Sequence, residues 1–440
     1  MLKDINMNTG NSFADLGVAE PLIEALAAHG VTHPFPIQIA TLPDTLAGRD
    51  VLGRGQTGSG KTLAFSIPVV SRLAGYPSRP SRPSGLVLAP TRELASQITA
   101  TLEPLAAVNG LRVGTIFGGV PQGRQVAALK SGVDIVVACP GRLEDLMKQG
   151  LIGLGSVAIT VVDEADHMAD LGFLPGVTRI LAATPGRGQR LLFSATLDNG
   201  VDKLVDRFLH DAVLHAVDGA NTPVPAMTHH VFHVAGVQAK RELVHRLASG
   251  AGRRILFMRT KHQARRLAKQ LTESGVPAVD LHGNLSQTAR ERNLAAFSAG
   301  EARVLVATDI AARGVHVDGI ELVVHIDPPA EHKAYLHRSG RTARAGNTGD
   351  VVTVVLPEQR QDTHALMRRA GIRVTPQEVT VDSAAVRAVA GEMAAYRPPA
   401  PKQVAVSHPP QPRGPGTARR RRARPSGGER RIPPRHKGPQ

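Results

Sequence analysis

The stretch GQTGSGKT, Gly55–Thr62, decides the fold class of this 440-residue chain. It fits the spacing G-x-x-x-x-G-K-[ST], follows a short apolar strand pattern at Val51–Gly53 and precedes a helical pattern at Leu63–Leu73. In this context the glycines let backbone N–H groups surround an anion, and the helix amino terminus adds its dipole. The stretch therefore predicts a phosphate-binding loop between a strand and a helix of an α/β sheet.

The residues of this loop have separate expected tasks. Lys61 is expected to reach the β- and γ-phosphates of a nucleotide, and the Thr62 hydroxyl is expected to hold Mg²⁺. The other residues of the cradle are Gln56, Thr57, Gly58, Ser59 and Gly60.

A second stretch, TVVDEADHMADLG at 160–172, places carboxylates directly after an apolar run. The run Ala158–Val162 predicts a buried strand, where ionised carboxylates are penalised unless a cation is near. Asp163 is placed like the carboxylate of a second nucleotide-binding motif, after the phosphate loop. It would hold Mg²⁺, through water. Glu164 would orient or deprotonate the attacking water. A solvated turn is the alternative for this cluster.

Short β-branched runs alternate with helical patterns from Asp50 onward, which predicts a parallel sheet covered by helices on both faces. The pattern pauses at DGANTPVPAMT, 218–228, where Gly and Pro residues predict a linker. It then resumes and fades near residue 375. We predict a first domain at 1–218, a linker at 219–228, a second domain at 229–375, and an extension with a disordered basic tail at 376–440.

The chain is basic, with a formal net charge of +16, and much of the excess lies at the carboxyl end. Residues 411–440 contain ten Arg and Lys residues against one acid, Glu429. Their Pro- and Gly-rich sequence predicts a disordered arm that binds phosphate without sequence preference. A tail that only aids solubility is the alternative.

The single cysteine, Cys139, excludes an internal disulfide and a thiolate zinc site, and it suits a reducing cytoplasm. No apolar stretch follows basic residues at the amino terminus, and no apolar run reaches the length of a membrane span. We therefore expect a cytoplasmic protein without membrane contact.

Further short motifs lead to a family resemblance. They are PTRELA (90–95), GG (118–119), PGR (140–142), DEAD (163–166), SAT (194–196), ATDIAARG (307–314) and HRSGRTARAG (337–346). Together with GQTGSGKT, and in this order, they resemble the motifs of the DEAD-box RNA helicases of superfamily 2. The resemblance covers about residues 13–375 and is nearest to the bacterial branch with a short core and a basic tail. It implies two tandem RecA-like domains, ATP and Mg²⁺ as cofactors, and RNA as the partner.

The resemblance also implies roles around the nucleotide. Phe13 would stack on the adenine, although a hydrophobic anchor before a helix is the alternative. The side-chain amide of Gln38 would pair with the adenine edge. Arg341 and Arg344 would act as arginine fingers on the γ-phosphoryl group. The same site would be lined by Arg313, Gly314 and His316.

An RNA track and a set of coupling residues follow from the same resemblance. Contacts to the RNA backbone and its 2′-hydroxyls specify RNA without specifying sequence. They are implied for Pro90, Thr91, Arg92, Glu93, Gly118, Gly119, Gly141, Arg142, Thr260, Gln287, Arg290 and Thr308. Coupling between the nucleotide, the RNA and the second domain is implied for Asp166, Ser194, Thr196, His337 and Arg338.

Two positions depart from the family pattern. Cys139 stands where the family usually has Thr, and we expect it to be a small buried hydrophobe. His316 stands where the family usually has an Asp that touches the ATP ribose. We expect His316 to make ATP affinity depend on pH between about pH 6 and 7, where free His titrates.

The implied function is RNA-stimulated ATP hydrolysis that locally separates short RNA duplexes or remodels RNA–protein complexes. Single strands and short duplexes would be read through their backbone, and ribosome or RNA-decay proteins are partners that the family allows. The alternative is an ATP-gated RNA clamp or annealing chaperone in which the basic tail dominates. A related DNA translocase is a third hypothesis, against which Gln38 and the DEAD spelling argue.

Overall fold

The computed structural model describes residues 12–55, 58–76, 79–197, 200–217, 227–312, 317, 319–343 and 348–398. Within them the chain forms two seven-stranded sheets, one after the other along the sequence. Every pairing between the named strands is parallel. The predicted parallel α/β class is therefore confirmed for both halves of the chain.

The first sheet and its helices extend from Glu20 to Ala216. Its strands are β1 (Val51–Arg54), β2 (Gly85–Leu88), β3 (Val113–Ile116), β4 (Ile135–Ala138), β5 (Ile159–Val162), β6 (Gln189–Ser194) and β7 (Val213–Ala216). Its helices are α1 (Glu20–Ala28), α2 (Pro36–Leu46), α3 (Lys61–Leu73), α4 (Arg92–Val108), α5 (Gly123–Ser131), α6 (Pro140–Lys148), α7 (Ala165–Asp170), α8 (Leu174–Ala182) and α9 (Val201–Phe208).

The second sheet and its helices extend from Met227 to Ala390. Its strands are β8 (Met227–His233), β9 (Arg253–Phe257), β10 (Ala278–Leu281), β11 (Val304–Ala307), β12 (Ile320–His325), β13 (Gly349–Val355) and β14 (Gln377–Glu378). Its helices are α10 (Val237–Ala248), α11 (Lys261–Glu273), α12 (Gln287–Ser298), α13 (Asp309–Ala312), α14 (His332–Ser339), a 3₁₀ turn (Pro357–Gln359), α15 (Arg360–Arg369) and α16 (Ala384–Ala390).

The two sheets share one strand order. The first is ordered β3-β4-β2-β5-β6-β1-β7 and the second β10-β11-β9-β12-β13-β8-β14. Counted from the first strand of each sheet, the two orders are identical. The chain therefore contains two copies of one α/β architecture, as expected for tandem RecA-like domains.

Each sheet is buried on both faces. Adjacent residues of one strand belong to different hydrophobic clusters, as Val136 and Val137 do in β4 and as Leu256 and Phe257 do in β9. Since successive side chains of a strand point to opposite faces, two clusters per sheet mean helices on both sides. Each fully buried aliphatic side chain contributes about 1.5–3 kcal/mol to folding.

The folded part continues beyond the boundary that the sequence predicts near residue 375. β14 pairs with the edge strand β8, and α16 buries Val386 and Ala390. Arg254, 2% exposed, donates to Ala390 O at 2.7 Å. The ring of Tyr396 lies against Gly275, whose carbonyl accepts a hydrogen bond from Arg397 N. Residues 376–398 therefore belong to the second folded half.

Other expectations concern segments without a structural description. Most of the predicted linker, 218–226, and the basic tail from 399 onward lie outside the described residues. The domain boundaries at 218 and 229 stay predictions. No helix in the described part of the chain is both long and apolar enough to cross a bilayer.

Candidate active site

Three loops that carry sequence motifs meet at one edge of the first sheet. β5, β6 and β1 are neighbours in the strand order and run in the same direction. Their carboxyl ends therefore lie side by side, which brings together Lys61 at the start of α3, Asp163 after β5 and Ser194 at the end of β6. Parallel α/β sheets bind their ligands at this edge.

The loop before α3 has a backbone that only glycine accommodates well. Gly58 and Gly60 adopt φ angles of +89° and +91°, which disfavour any residue with a Cβ. A Cβ on Gly60 would also lie 2.7 Å from Gln38 Nε2. Gly58 and Gly60 are thus required by the local backbone conformation, and Gly60 also by the close approach of Gln38.

Polar groups of the same loop suit an anion. Lys61 is 8% exposed, and its Nζ donates to Gly55 O at 2.7 Å. Ser59 Oγ is buried and has no hydrogen-bond partner among the described residues. A buried ammonium beside an unpaired hydroxyl is the chemistry that a phosphate group would complete. Gln56 and Thr57 lie outside the described residues.

Asp163 and Glu164 are buried carboxylates, 3% and 8% exposed. Burial and the charge of Glu164 raise the pKa of Asp163 to about 7, although the charge of Lys61 opposes this. Burial acts to raise the pKa of Glu164 as well, but the hydrogen bond and charge of His167 and the charge of Arg341 hold it below its usual range. The solvated-turn alternative is therefore wrong for these two residues.

The donors near Asp163 fit a magnesium ion. Asp163 offers a carboxylate that is 3% exposed and whose Oδ1 accepts from Glu164 N at 2.9 Å. Thr62 adds a hydroxyl in the first turn of α3, beside the phosphate cradle. Mg²⁺ prefers such oxygen donors and keeps several waters. The assignment of Thr62 and Asp163 to Mg²⁺ stays a prediction that the structure accommodates.

A cavity of about 470 Å³ adjoins the cradle, and its lining includes Phe35, Gly60, Lys61, Thr62, Asp163 and Glu164. Gln38 is fully buried behind Gly60. Its Nε2 donates to Gly60 O and its Oε1 accepts from Phe35 N, both at 2.9 Å. Gln38 thus ties α2 to the phosphate loop, and its contact with adenine stays a prediction.

Phe13 does not line this cavity. It is 2% exposed and packs in the core with Leu22 and Leu26 of α1, so its ring has no open face for a base. The stacking role is corrected to the alternative, a hydrophobic anchor. The aromatic side chain at the cavity is Phe35, 43% exposed, which the sequence reasoning missed although it lies three residues before Gln38.

Asp166, Ser194 and Thr196 form a closed set of hydrogen bonds at the carboxyl edge of the first sheet. Ser194 Oγ accepts from Asp166 N at 3.2 Å and donates to Thr196 O at 2.6 Å. Asp166 Oδ2 accepts from Thr196 N at 3.2 Å. The structure therefore brings these three predicted coupling residues together, next to the buried carboxylates.

Arg338 is bound inside the second half of the chain, whereas the resemblance implies that it couples that half to the nucleotide and the RNA. It is 4% exposed and donates to both carboxylate oxygens of Asp309, at 2.5 and 2.8 Å, and to Asp327 O at 2.8 Å. Its guanidinium also lies 5.1 Å from the centre of the Phe257 ring. Because these bonds use the fork of the guanidinium, Arg338 connects α14 to α13 within its own domain.

Arg341, which follows α14, lies close enough to Glu164 for its charge to act on that carboxyl. It is 4% exposed, its Nε donates to His337 O at 3.3 Å, and its charge acts on the Glu164 carboxyl. An arginine that follows α14 of the second sheet therefore lies near the predicted general base of the first. The remaining residues expected here, Arg313, Gly314, His316 and Arg344, lie outside the described residues.

Several predicted RNA contacts lie at helix amino termini. The helices concerned are α4, α6, α11 and α12, each of which follows a strand of a parallel sheet. Thr91 and Thr260 are the N-caps of α4 and α11, and each hydroxyl accepts from the backbone N–H three residues on, at 3.2 and 3.3 Å. Such termini attract phosphate groups through their free N–H groups and their dipole.

The remaining predicted RNA contacts differ in exposure. Gly119, Gly141 and Thr260 are exposed, whereas Thr91, Arg92, Gly118, Arg142 and Thr308 are half-buried and Pro90 is buried. Three others, Glu93, Gln287 and Arg290, are buried in contacts between the two halves of the chain. Arg290 Nε donates to Glu93 Oε1 at 2.7 Å, and Arg92 Nη1 donates to Gln287 Oε1 at 3.2 Å.

Cys139 packs against the core and is the N-cap of α6, where its side chain makes no cap hydrogen bond within the described structure. Burial and the charge of Glu93 raise the pKa of the thiol to about 12. A thiol that stays protonated and packs apolar neighbours agrees with the expected small hydrophobe.

Known proteins carry the same two modules. The family model described as DEAD/DEAH box helicase matches residues 35–204, and the one described as helicase conserved C-terminal domain matches residues 239–346. DEAD-box ATP-dependent RNA helicase 7 of Spinacia oleracea is 38% identical over 392 residues, which are 85% of this chain and 56% of that protein. DEAD-box ATP-dependent RNA helicase CshA of Geobacillus kaustophilus is 37% identical over 359 residues, 81% of this chain and 76% of that protein.

A solved structure extends the likeness to three dimensions. S. cerevisiae Dbp5 bound to RNA and ADP BeF3 matches with a TM-score of 0.73 and 27% identity, over 86% of this chain and 100% of that chain. The chain spans 46% to 61% of the length of several curated relatives. Since both modules match in order and over most of the chain, the chain belongs to the family of DEAD-box ATP-dependent RNA helicases.

Proposed function

We propose that this chain is an RNA-dependent ATPase that locally separates short RNA duplexes or remodels RNA–protein complexes. The observation that carries the proposal is that side chains of the second half meet those of the first: Arg290 Nε donates to Glu93 Oε1 at 2.7 Å, and the charge of Arg341 helps to hold the pKa of Glu164 down. A site divided in this way hydrolyses ATP only when the two halves meet. RNA bound to both halves would favour that meeting, which is how RNA would stimulate hydrolysis.

The chemistry assigns a task to each side chain. Lys61 and the amino terminus of α3 hold the phosphates of ATP. Glu164 orients the attacking water and accepts its proton. Arg341, with Arg344, offsets negative charge on the γ-phosphoryl group as it leaves. Mg²⁺ held through Thr62 and Asp163 would supply further positive charge toward the phosphate oxygens.

RNA would be bound through its backbone. In each sheet these helix amino termini lie at the carboxyl ends of the parallel strands, and in the first sheet that edge also carries the nucleotide loop. The chain has no Trp and only three Tyr, so base stacking contributes little. Contacts to phosphates and 2′-hydroxyls give RNA preference without sequence preference. The Asp166–Ser194–Thr196 set would transmit RNA contacts to the nucleotide site.

A Glu164→Gln variant tests the hydrolysis step. We expect it to keep RNA binding that depends on an ATP analogue and to lose turnover, because the amide cannot accept the proton. Glu103→Gln, an exposed position on α4, is the matched control and should hydrolyse ATP like the wild type. Turnover by Glu164→Gln at the wild-type rate would contradict the general-base role. Equal stimulation by DNA and RNA would favour a DNA translocase.

An ATP-gated clamp or annealing chaperone is the second candidate, and ten basic residues in 411–440 favour it. Deleting residues 399–440 separates the two, because the deletion leaves the packed residues Tyr396 and Arg397 in place. A helicase core would keep RNA-stimulated hydrolysis and separation of short duplexes. A tail-driven chaperone would lose RNA affinity and annealing together.

We place this activity in the cytoplasm, which a single cysteine in the whole sequence supports. Ribosome or RNA-decay proteins are the proposed protein partners, and single strands and short duplexes the proposed RNA. Crosslinking the protein to cellular RNA and sequencing the bound fragments would identify the substrate. Recovery of DNA alone would contradict the proposal.

A further inference from the structure

His167 of α7 contacts the carboxylate of Glu164, the residue that precedes this helix. Its Nδ1 lies 3.0 Å from Glu164 Oε2, and the two residues are three positions apart. The imidazole is 4% exposed. Among the described residues, His167 is the side chain that forms a hydrogen bond with the Glu164 carboxylate. No motif reading of the sequence assigns a role to His167.

The direction of this hydrogen bond follows from its surroundings. A carboxylate oxygen accepts hydrogen bonds, so in this contact His167 Nδ1 carries the hydrogen and donates it to Glu164 Oε2. His167 Nε2 is buried and has no hydrogen-bond partner among the described residues. The arrangement therefore places a hydrogen on Nδ1 and directs it at the Glu164 carboxylate.

The backbone of Glu164 is strained. Its φ of +49° and ψ of +53° lie in the left-handed region, which is unfavourable for a residue with a Cβ. Glu164 also precedes the helix and lines the cavity beside the phosphate cradle. The backbone conformation sets where the side chain of Glu164 begins. A hydrogen bond to Oε2 then fixes the direction in which Oε1 points.

We infer that His167 is a positioning residue for ATP hydrolysis, which holds Oε2 of Glu164 so that Oε1 faces the attacking water. The inference rests on the proposed function, because it gives Glu164 the role of general base. His167 is not among the residues that line the cavity beside the phosphate cradle. Its effect therefore passes entirely through Glu164.

Three substitutions at this position separate positioning from packing. His167→Asn keeps an N–H at the distance of Nδ1 from the backbone, His167→Gln moves the N–H one bond farther, and His167→Leu removes it. His210→Gln, an exposed position at the opposite edge of the first sheet, is the control. ATP hydrolysis is measured in the full chain with saturating RNA, and folding by thermal melting.

We expect His167→Gln and His167→Leu to lower kcat about ten- to hundredfold, the effect of one hydrogen bond to a charged group. KM for ATP should change by less than about twofold, because the ground state does not use Oε1. His167→Asn should recover most of kcat. In a Glu164→Gln background, His167→Leu should cause no further loss.

Other outcomes overturn the inference. Wild-type kcat in both His167→Gln and His167→Leu excludes positioning, and an equal loss in all three variants, Asn included, indicates packing. A further loss in the Glu164→Gln background shows a path that bypasses Glu164. If His167→Leu does not fold, the Asn and Gln pair decides. A wild-type protein without RNA-stimulated hydrolysis instead overturns the proposed function.

Discussion

Arg290 Nε donates a hydrogen bond to Glu93 Oε1 at 2.7 Å, and the two residues belong to helices of different sheets. Both side chains are about nine-tenths buried, and Arg290 also donates to His282 O and Ala311 O at 3.3 Å. The motif resemblance implies RNA contacts for both residues. In the structure their charges neutralise each other between the two halves of the chain.

We predict that this ion pair stabilises the closed arrangement of the two halves. Removing one partner of a buried pair costs about 3–5 kcal/mol, but here the halves can separate and let water solvate the remaining charge. Glu93→Gln should therefore weaken RNA binding at least about tenfold when an ATP analogue is present. Binding without nucleotide should change little. Fluorescence anisotropy of a labelled single-stranded RNA measures both affinities.

A charge exchange distinguishes the pair from two separate RNA contacts. Glu93→Arg combined with Arg290→Glu should recover part of the analogue-dependent affinity that each single change loses. Equal losses with and without nucleotide, and no recovery in the double variant, would mean that Glu93 and Arg290 act as plain RNA contacts.

Restoring a hydroxyl at the start of α6 should stabilise the first domain. Cys139 occupies the N-cap without a side-chain cap bond in the described structure. Cys139→Thr supplies an acceptor for an N–H of the first turn, worth about 1 kcal/mol. We expect the melting temperature to rise by about 2–4 °C. Cys139→Ala is the control without a cap, and equal melting of the Thr and Ala variants would contradict the prediction.

Local sequence features predicted the nucleotide loops well. The spacing around Lys61 and the apolar run before Asp163 each lie within about twenty residues, so few tertiary contacts decide their conformation. The edge strands β3 and β7 give a weaker sequence signal, because they are only partly buried and their apolar pattern is less regular. Secondary structure in this chain is predicted most easily for segments that are buried on both faces, because their apolar pattern is strongest.

Partners of long-range contacts could not be predicted. Which acid an arginine such as Arg338 meets, here Asp309, depends on how α14 packs rather than on the motif that contains it. The same is true of Phe13, whose alternative readings differ only in tertiary position. His167 gave a usable signal, a histidine three residues after a candidate general base on a helix, which is contact spacing.

The folding stability of the second domain should fall as the pH drops below about 6.5, the ordinary pKa of histidine. His325 is fully buried between Tyr335 and Phe257, and burial, then the charges of Arg338 and His229, hold its pKa well below the usual value. Between the folded and unfolded pKa values the unfolded chain binds the proton and the folded chain does not. Stability is therefore fully present above this window and is lost on acidification.

Substitution of His325 should flatten this dependence. We expect His325→Phe to melt at nearly the same temperature at pH 5 as at pH 7, whereas the wild type should melt lower at pH 5. His364→Gln changes an exposed histidine of α15 and should keep the wild-type slope. The same slope in His325→Phe as in the wild type would assign the pH dependence to other groups.

Truncation after residue 375, the boundary that the sequence suggests, should destabilise the second domain, whereas truncation after residue 398 should not. The shorter chain lacks β14 and α16, and it therefore exposes the surface that Val386 covers and leaves Arg254 without its bond to Ala390 O. Burial of one aliphatic side chain and one charge-assisted hydrogen bond contribute about 1.5–3 kcal/mol each. We expect the melting temperature to fall by more than about 5 °C. Arg254→Met in the shorter chain removes a buried charge that has lost one of its acceptors and should recover part of this loss. Melting of both truncated chains at the same temperature would show that residues 376–398 pack without adding stability.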